Sequence, residues 1–234
     1  MVRFGKRSST RHHREHPLFM NLSLLFQEPW LFLVFIIAFL LTLAVHEFSH
    51  AWMSTMLGDQ TAKREGRLTL NPVSHVDILG FLALVTVGFG WGKPVPFNPY
   101  NLKYQKWGPT FVAVVGPISN LLFGTLCILL AGVFSRAFSW SPSNLLITAL
   151  SFMGYLNFLL LLFNLIPLPP LDGSKVLLAL LSSEAHRPAR QALEQHGPVL
   201  LLVLMILDAA TGIGFFAWIG SVARFMVEFI ARLT

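Results

Sequence analysis

The sequence contains one run of residues whose types and spacing suit metal chemistry, His46-Glu47-Phe48-Ser49-His50, inside a long apolar stretch. Residues four apart on an α-helix lie on one face, so both imidazoles can bind the same ion. Glu47 would then lie beside the open metal position, where a general base deprotonates water. A charged group at membrane depth costs about 2.5 to 3.5 kcal/mol and therefore needs a partner such as a metal. The motif predicts a hydrolytic zinc site with Glu47 as its base.

A catalytic zinc ion usually has three protein ligands, so a third ligand must come from elsewhere in the chain. The candidates that lie in or beside apolar sequence are His75 and Asp77 in NPVSHVD, Asp172 in PLDG, and Asp208. Asp172 is favoured because prolines end the apolar segment before it and Gly173 follows it, so the backbone can bend towards another helix. The residues alone leave the other candidates open.

The surrounding sequence is that of a membrane protein. The chain has 234 residues, of which 54% are hydrophobic and 12% charged, and its mean hydropathy is +0.64. An apolar run of about 18 residues crosses the hydrocarbon core as a helix. We therefore expect an all-α polytopic protein with four to six transmembrane helices. The clear spans are residues 30–57, 110–134, 145–166 and 198–230, the last interrupted near 208–214.

Three shorter segments carry separate expectations. Residues 78–91 are apolar but short and rich in glycine, so we expect them to cross the membrane only partly or to re-enter it. The three prolines of residues 92–107 predict a loop or an edge strand. The segment with Glu184, Arg187 and Glu194 is predicted to be a polar loop.

The net charge of +6 does not indicate nucleic-acid binding, because the seventeen Lys and Arg residues form no stripe. Five of them lie in residues 1–16 and most others in short connections, as expected of topology determinants. Residues 1–16 are interpreted as a flexible basic tail and 17–234 as a single membrane domain. Either residues 17–26 form part of an additional crossing or re-entrant turn, or one of the two basic clusters, the tail or the connection after the motif helix, lies outside. We expect the first, which places both clusters in the cytoplasm.

Several motifs together resemble the site-2 protease family of intramembrane zinc metalloproteases, in its compact bacterial form without a PDZ domain. These are HEFSHAW, GRLTLNPVSHVDILG, GWGKPVPFNP, GPISN and NLIPLPPLDG, in the family's order across residues 40–180. The resemblance implies that His46, His50 and Asp172 bind one zinc ion per chain and that Glu47 is the catalytic acid and base. It further implies membrane-protein or peptide substrates, cleaved in the lipid bilayer of the bacterial inner membrane.

The remaining polar residues in apolar sequence have two interpretations each. The amides of Asn120 and Asn164 could donate to the oxyanion formed during peptide hydrolysis, or could satisfy backbone groups freed by nearby prolines. His75 and Asp77 could fold a loop over the site or orient a zinc ligand, or could bind the metal directly.

A membrane metal transporter or a noncatalytic scaffold is the competing class of function. Such a site needs ligands but no base one residue after a ligand, and structural zinc fills its four positions with protein groups. Glu47 therefore favours a protease.

Overall fold

A computed structural model of the chain describes residues 23–87 and 90–234. Most of these residues lie in α-helices. The helices are α1 (Ser23–Gln27), α2 (Pro29–Met56), α3 (Thr61–Arg64), α4 (Ile78–Val87), α5 (Gly108–Ala137), α6 (Leu145–Asn164), α7 (Gly173–Leu180), α8 (Arg187–Thr211) and α9 (Phe215–Ala231). Short 3₁₀ turns lie at Pro72–His75, Pro99–Asn101 and Glu184–His186. The described residues contain no β-strand, and the all-α fold expected from the sequence is confirmed.

Four helical segments among the described residues are long and apolar enough to cross a membrane. They are α2, α5, α6 and the stretch Glu184–Thr211, which contains α8. Their most apolar windows have mean hydropathies of 2.4, 2.0, 2.1 and 1.4. The expected polytopic architecture is therefore confirmed, with α2, α5 and α6 close to their predicted bounds.

The bundle is built from α2, α5 and α6, which pack on one another, and α9 covers α5 and α6. Glycines allow α5 and α6 to approach closely, because a Cβ at Gly124 would lie 3.2 Å from the Gly154 carbonyl oxygen. Small residues at such contacts are the usual device in membranes, where lipid is as apolar as the side chains. The buried core beside this contact comprises Ile128, Phe158, Leu161, Ala223 and Ile230.

The segment from α4 to Trp91 returns to the place where it begins. Val76 and Gly92 form an isolated antiparallel bridge at its base. Further along, a Cβ at Gly80 would overlap the Trp91 backbone, so only glycine allows the returning chain to lie this close. The two ends of the segment therefore lie together, and its expected re-entry into the membrane, after which we name residues 78–91 the re-entrant segment, stays a prediction. The following residues 93–98 have no regular secondary structure, in agreement with the predicted loop.

The predicted polar loop around Glu184 to Glu194 is wrong in its second half, because α8 already begins at Arg187. Charged residues obscure the helical period of this part of the sequence. In the structure, the less exposed face of α8 is formed by Arg190, Leu193 and Gly197. Their spacing of three and four is that of an amphipathic helix. The predicted break near 208–214 is confirmed by Gly212 and Gly214, whose φ values are +66° and +81°. The tail at 1–16, and residues 17–22 of the proposed extra crossing, lie outside the described residues.

A buried carboxylate, Asp59, connects the end of α2 to the loop that precedes α5. It accepts hydrogen bonds from the Asn98 N–H at 2.7 Å, the Asn101 amide at 3.0 Å and the Thr61 hydroxyl at 2.6 Å. Burial raises the pKa of Asp59, but these hydrogen bonds outweigh it and hold the pKa below its usual range. These hydrogen bonds therefore fix the loop at residues 98–101 to the C-terminal end of α2.

Candidate metal centre

Helix α2 presents two buried imidazoles on one face, as the four-residue spacing predicts. His46 is 4% exposed and His50 is 8% exposed. Their ring centroids are 4.5 Å apart, with the rings edge to face. The two Nε2 atoms lie 3.0 Å from each other. Both histidines therefore direct the same nitrogen at one point.

Asp172 reaches this point from the connection between α6 and α7. Its Oδ2 lies 3.2 Å from His46 Nε2 and 3.3 Å from His50 Nε2. The approach depends on Gly173, where a Cβ would overlap the carbonyl oxygens of Leu165 and Ile166. The broken sequence after α6 thus folds tightly and brings a carboxylate to a different helix.

Each histidine has its other ring nitrogen bonded to an oxygen. His50 Nδ1 donates to the Val112 carbonyl at 2.7 Å, and His46 Nδ1 lies 2.5 Å from Asn120 Oδ1. A carbonyl oxygen can only accept, so the proton of neutral His50 is on Nδ1. A metal ligand commonly donates its second N–H in this way, which fixes the ring and its tautomer.

The donor set fits a divalent cation. With the ring protons on Nδ1, three lone-pair atoms converge: two imidazole nitrogens and a carboxylate oxygen, all within 4.8 Å of one another. Asp172 Oδ2 is buried and forms no hydrogen bond within the described residues. Lone pairs facing each other in a buried site repel unless a cation or proton lies between them. Two nitrogens and one oxygen are ligand types that zinc accepts, and three ligands leave one position open.

Gly116 of α5 lies directly against the two imidazoles. A Cβ there would overlap His50 Cε1 and Nε2 and would lie 2.8 Å from His46 Cε1. Glycine at this position leaves room for both rings between α2 and α5. This contact is not apparent from the sequence, in which Gly116 resembles a glycine of ordinary helix packing.

Glu47 is buried beside the group, with 9% of its surface exposed. Its side chain forms no hydrogen bond or ion pair with any residue that the structure describes. No side chain of the described residues therefore occupies this carboxylate.

The two asparagines have different surroundings. Asn120 is fully buried, and both ends of its amide are bonded, Oδ1 to His46 and Nδ2 to Asn157 at 2.8 Å. Its contacts therefore support orienting a histidine. Asn164 is half-buried and donates to the carbonyl of Leu160 in its own helix at 3.1 Å, a group that Pro167 does not free, so the backbone alternative also stays a prediction for this residue. An oxyanion role for either residue stays a prediction.

His75 and Asp77 are not members of the three-residue group. His75 is fully buried, with Nε2 donating to the Thr69 carbonyl at 2.8 Å and Nδ1 lying 3.5 Å from the Arg67 guanidinium. Arg67 also donates to the Lys93 carbonyl at 2.5 Å. Asp77 accepts from the Gly80 N–H at 2.8 Å at the start of α4. These contacts fold the loop and the re-entrant segment together.

Sequence reasoning missed Asn157 and Thr42, which continue the hydrogen bonds from Asn120. Asn157 Nδ2 lies 2.9 Å from Thr42 Oγ1 and 2.8 Å from the Met153 carbonyl. The available signal was an amide on α6 surrounded by apolar residues, which in a membrane helix requires a partner.

Comparison with known proteins identifies metalloprotease relatives of this chain. The family model for peptidase family M50 matches residues 130–207, which include Asp172. YwhC of Bacillus subtilis, named as a candidate zinc metalloprotease, is 35% identical over 192 residues, covering 81% of this chain and 84% of YwhC. Rip2 of Mycolicibacterium smegmatis, named likewise, is 33% identical over 186 residues, covering 76% of this chain and 68% of Rip2. No solved structure matches the chain.

The resemblance to site-2 proteases noted from the motifs is thereby confirmed, as are zinc as cofactor and the membrane-protein class. The metal transporter and scaffold alternatives give way to an enzyme. The chain belongs to peptidase family M50 and is a zinc metalloprotease.

Proposed function

We propose that the enzyme hydrolyses peptide bonds of transmembrane or membrane-associated substrates within the bilayer. In this proposal His46, His50 and Asp172 bind one zinc ion and Glu47 is the general base. The observation that carries it is the convergence of three lone-pair atoms between helices long enough to span a membrane. A protease site at that position acts on substrates that enter from the lipid.

The chain's own residues account for the proton transfers of hydrolysis. Zinc, when bound, supplies Lewis acidity that polarises the substrate carbonyl and makes water acidic enough to ionise near neutral pH. Glu47 takes the proton as the water oxygen bonds to the carbonyl carbon. It then delivers that proton to the amide nitrogen as the C–N bond breaks, so the products are a carboxyl and an amine group. His46 and His50 stay neutral and keep their Nδ1 protons.

Substrate backbone can pair with the loop after the re-entrant segment. In the described part of the chain, the N–H groups of Val95 and Phe97 form no backbone hydrogen bond. Lys93, two residues before Val95, is fixed by hydrogen bonds to His75 and Arg67. A locally unwound substrate helix could add to this edge as a strand, which exposes its carbonyls to attack.

The proposal assigns the site to the cytoplasmic half of a bacterial cell membrane. The connections at that end of the bundle carry exposed basic residues, namely Lys63, Arg64, Lys103 and Lys106. His46 lies ten residues before the end of α2, or about 15 Å along a helix. An excess of Lys and Arg marks cytoplasmic connections.

The test is cleavage of a transmembrane peptide by purified enzyme in liposomes, with zinc measured separately. Glu47→Gln should keep about one zinc per chain and lose activity by 10²- to 10⁴-fold, since it removes only the base. His46→Ala, His50→Ala and Asp172→Ala should each lose zinc, whereas the control His75→Ala should keep it. Cleavage that survives in Glu47→Gln would contradict the mechanism, and zinc retained in Asp172→Ala would contradict the ligand set.

A further inference from the structure

A continuous series of buried side-chain hydrogen bonds begins at His46 and crosses three helices. His46 on α2 bonds to Asn120 on α5, and Asn120 bonds to Asn157 on α6. Asn157 then bonds back to Thr42, one turn before His46 on α2. Both amides are 0% exposed and Thr42 is 2% exposed. Water therefore cannot replace any of these partners.

The direction of every bond in the series is set by its far end, the backbone carbonyl of Met153. A carbonyl oxygen only accepts, so the atom of Asn157 that faces it at 2.8 Å must be the NH₂ group. The oxygen of Asn157 then faces Asn120, whose NH₂ group donates to it at 2.8 Å. The oxygen of Asn120 consequently faces His46, so Nδ1 of that ring must carry the proton.

The orientation of Asn120 decides whether His46 can bind a metal. With the Asn120 oxygen towards the ring, Nε2 has a free lone pair aimed at Asp172 and His50. If the amide were reversed, its NH₂ group would face Nδ1 and the ring proton would have to move to Nε2. A protonated Nε2 cannot be a ligand. His50 has no such dependence, because the Val112 backbone carbonyl fixes its tautomer directly.

We propose that Asn157 is a positioning residue for zinc binding, acting through Asn120 to hold His46 in the tautomer with Nε2 unprotonated. This inference rests on the proposed role of His46 as a zinc ligand. Asn157 itself contacts neither the three-residue group nor Glu47 by any hydrogen bond. Its effect on the metal passes through the amide of Asn120 alone.

The decisive variant is Asn157→Leu, which removes the bond that orients Asn120. Zinc affinity, measured by competition with a chelator, should fall by about 10- to 100-fold, the usual effect of losing a partner behind a metal ligand. Thr42→Val is the matched control, because the Met153 carbonyl still orients Asn157 and affinity should change by less than about twofold. The visible spectrum of the cobalt-substituted protein should change in Asn157→Leu and not in the control.

A rescue separates orientation from packing. Asp at position 120 has an oxygen on both sides, so it accepts from His46 Nδ1 in either rotamer and needs no help from residue 157. The double variant Asn120→Asp/Asn157→Leu should therefore bind zinc more tightly than Asn157→Leu alone. Equal affinity in these two variants would mean that Asn157 acts by packing, and unchanged affinity in Asn157→Leu would mean that it does not act on the metal. Either result overturns the proposal.

Wild-type protein provides a test that does not depend on the variants folding. ¹⁵N NMR of histidine-labelled, metal-free protein should find the His46 proton on Nδ1, and a neutral ring with the proton on Nε2 would refute the inference. His46→Ala distinguishes the two levels of failure. If His46→Ala binds zinc normally, the ligand set itself is wrong. If His46→Ala loses zinc while Asn157→Leu binds zinc as wild type does, only the positioning role is rejected.

Discussion

Replacing Gly116 with alanine should weaken zinc binding without unfolding the protein. The added Cβ would overlap two atoms of the His50 ring and lie 2.8 Å from His46 Cε1. Ordinary carbon contacts are about 3.5 to 4.0 Å, so the rings must move by roughly 1 Å. The rings cannot move freely, because each is bonded through Nδ1 to α5, His50 to Val112 and His46 to Asn120.

The size of the effect follows from the tolerance of a metal site. Ligand distances in such sites hold to within about 0.2 Å, so a displacement of roughly 1 Å removes a ligand from productive distance. We expect zinc affinity to fall at least about 100-fold, equivalent to about 2.7 kcal/mol. Alanine also stabilises a helix relative to glycine by about 0.5 to 1 kcal/mol, which offsets part of the strain in α5. The melting temperature of metal-free Gly116→Ala should therefore stay close to that of metal-free wild type, although its zinc affinity falls.

The assay is chelator competition on purified protein, with thermal unfolding of the metal-free form measured in parallel. Gly132→Ala is the matched control, since it lies on the same helix and its Cβ would overlap the Thr234 side chain rather than a metal-binding histidine or Asn157. That variant should leave zinc affinity close to that of wild type. Zinc binding by Gly116→Ala within about threefold of wild type would refute the steric argument.

Two further predictions concern the loops at the same end of the bundle. Asp59→Asn turns an acceptor into a donor opposite the Asn98 N–H and should destabilise the protein by about 1 to 3 kcal/mol, measured by thermal unfolding. Because the pKa of Asp59 is lower in the folded state, its stabilisation is complete above the unfolded value of about 4 and disappears as pH falls further. Wild type should therefore lose stability below about pH 4 more steeply than Asp59→Asn, and parallel profiles would contradict this. His75→Ala should leave zinc content unchanged but increase proteolytic cutting of residues 67–76, because the Thr69 and Arg67 contacts are lost; an unchanged digestion rate would count against that role.

The sequence was most informative where chemistry restricts the choice of residue. Two histidines four apart on an apolar helix have few structural uses, and an aspartate between prolines and glycine has few ways to be accommodated in a membrane. The spacing of His46 and His50 therefore predicted that both bind one metal, whereas the residues alone only favoured Asp172 among several candidates and the resemblance to site-2 proteases implied it as the third ligand. The structure brings all three together. The role of Glu47 stays a prediction, because hydrogen bonds within the chain do not test proton transfer.

The neighbours of these groups could not be predicted in the same way. Asn157 and Thr42 are polar residues in apolar helices, and helix packing explains such residues equally well until their partners are known. Gly116 resembles any packing glycine, since its spacing does not reveal which side chain lies opposite. The charged start of α8 was interpreted as a loop because composition outweighed a weak helical period. Apart from the start of α8, these omissions come from contacts between helices, which depend on rotation and depth rather than on local sequence.

The separation of the metal-binding groups along the chain also bears on how the protein is made. Helix α2 enters the membrane during synthesis carrying His46, Glu47 and His50, whereas Asn120 follows His46 by 74 residues and Asp172 later still. Ionised forms of these side chains would oppose insertion, so α2 has to enter with them neutral, on the strength of its apolar residues. All three proposed ligands are therefore present only after α5, α6 and the turn before α7 have been synthesised, so zinc cannot bind to the complete set at any earlier stage.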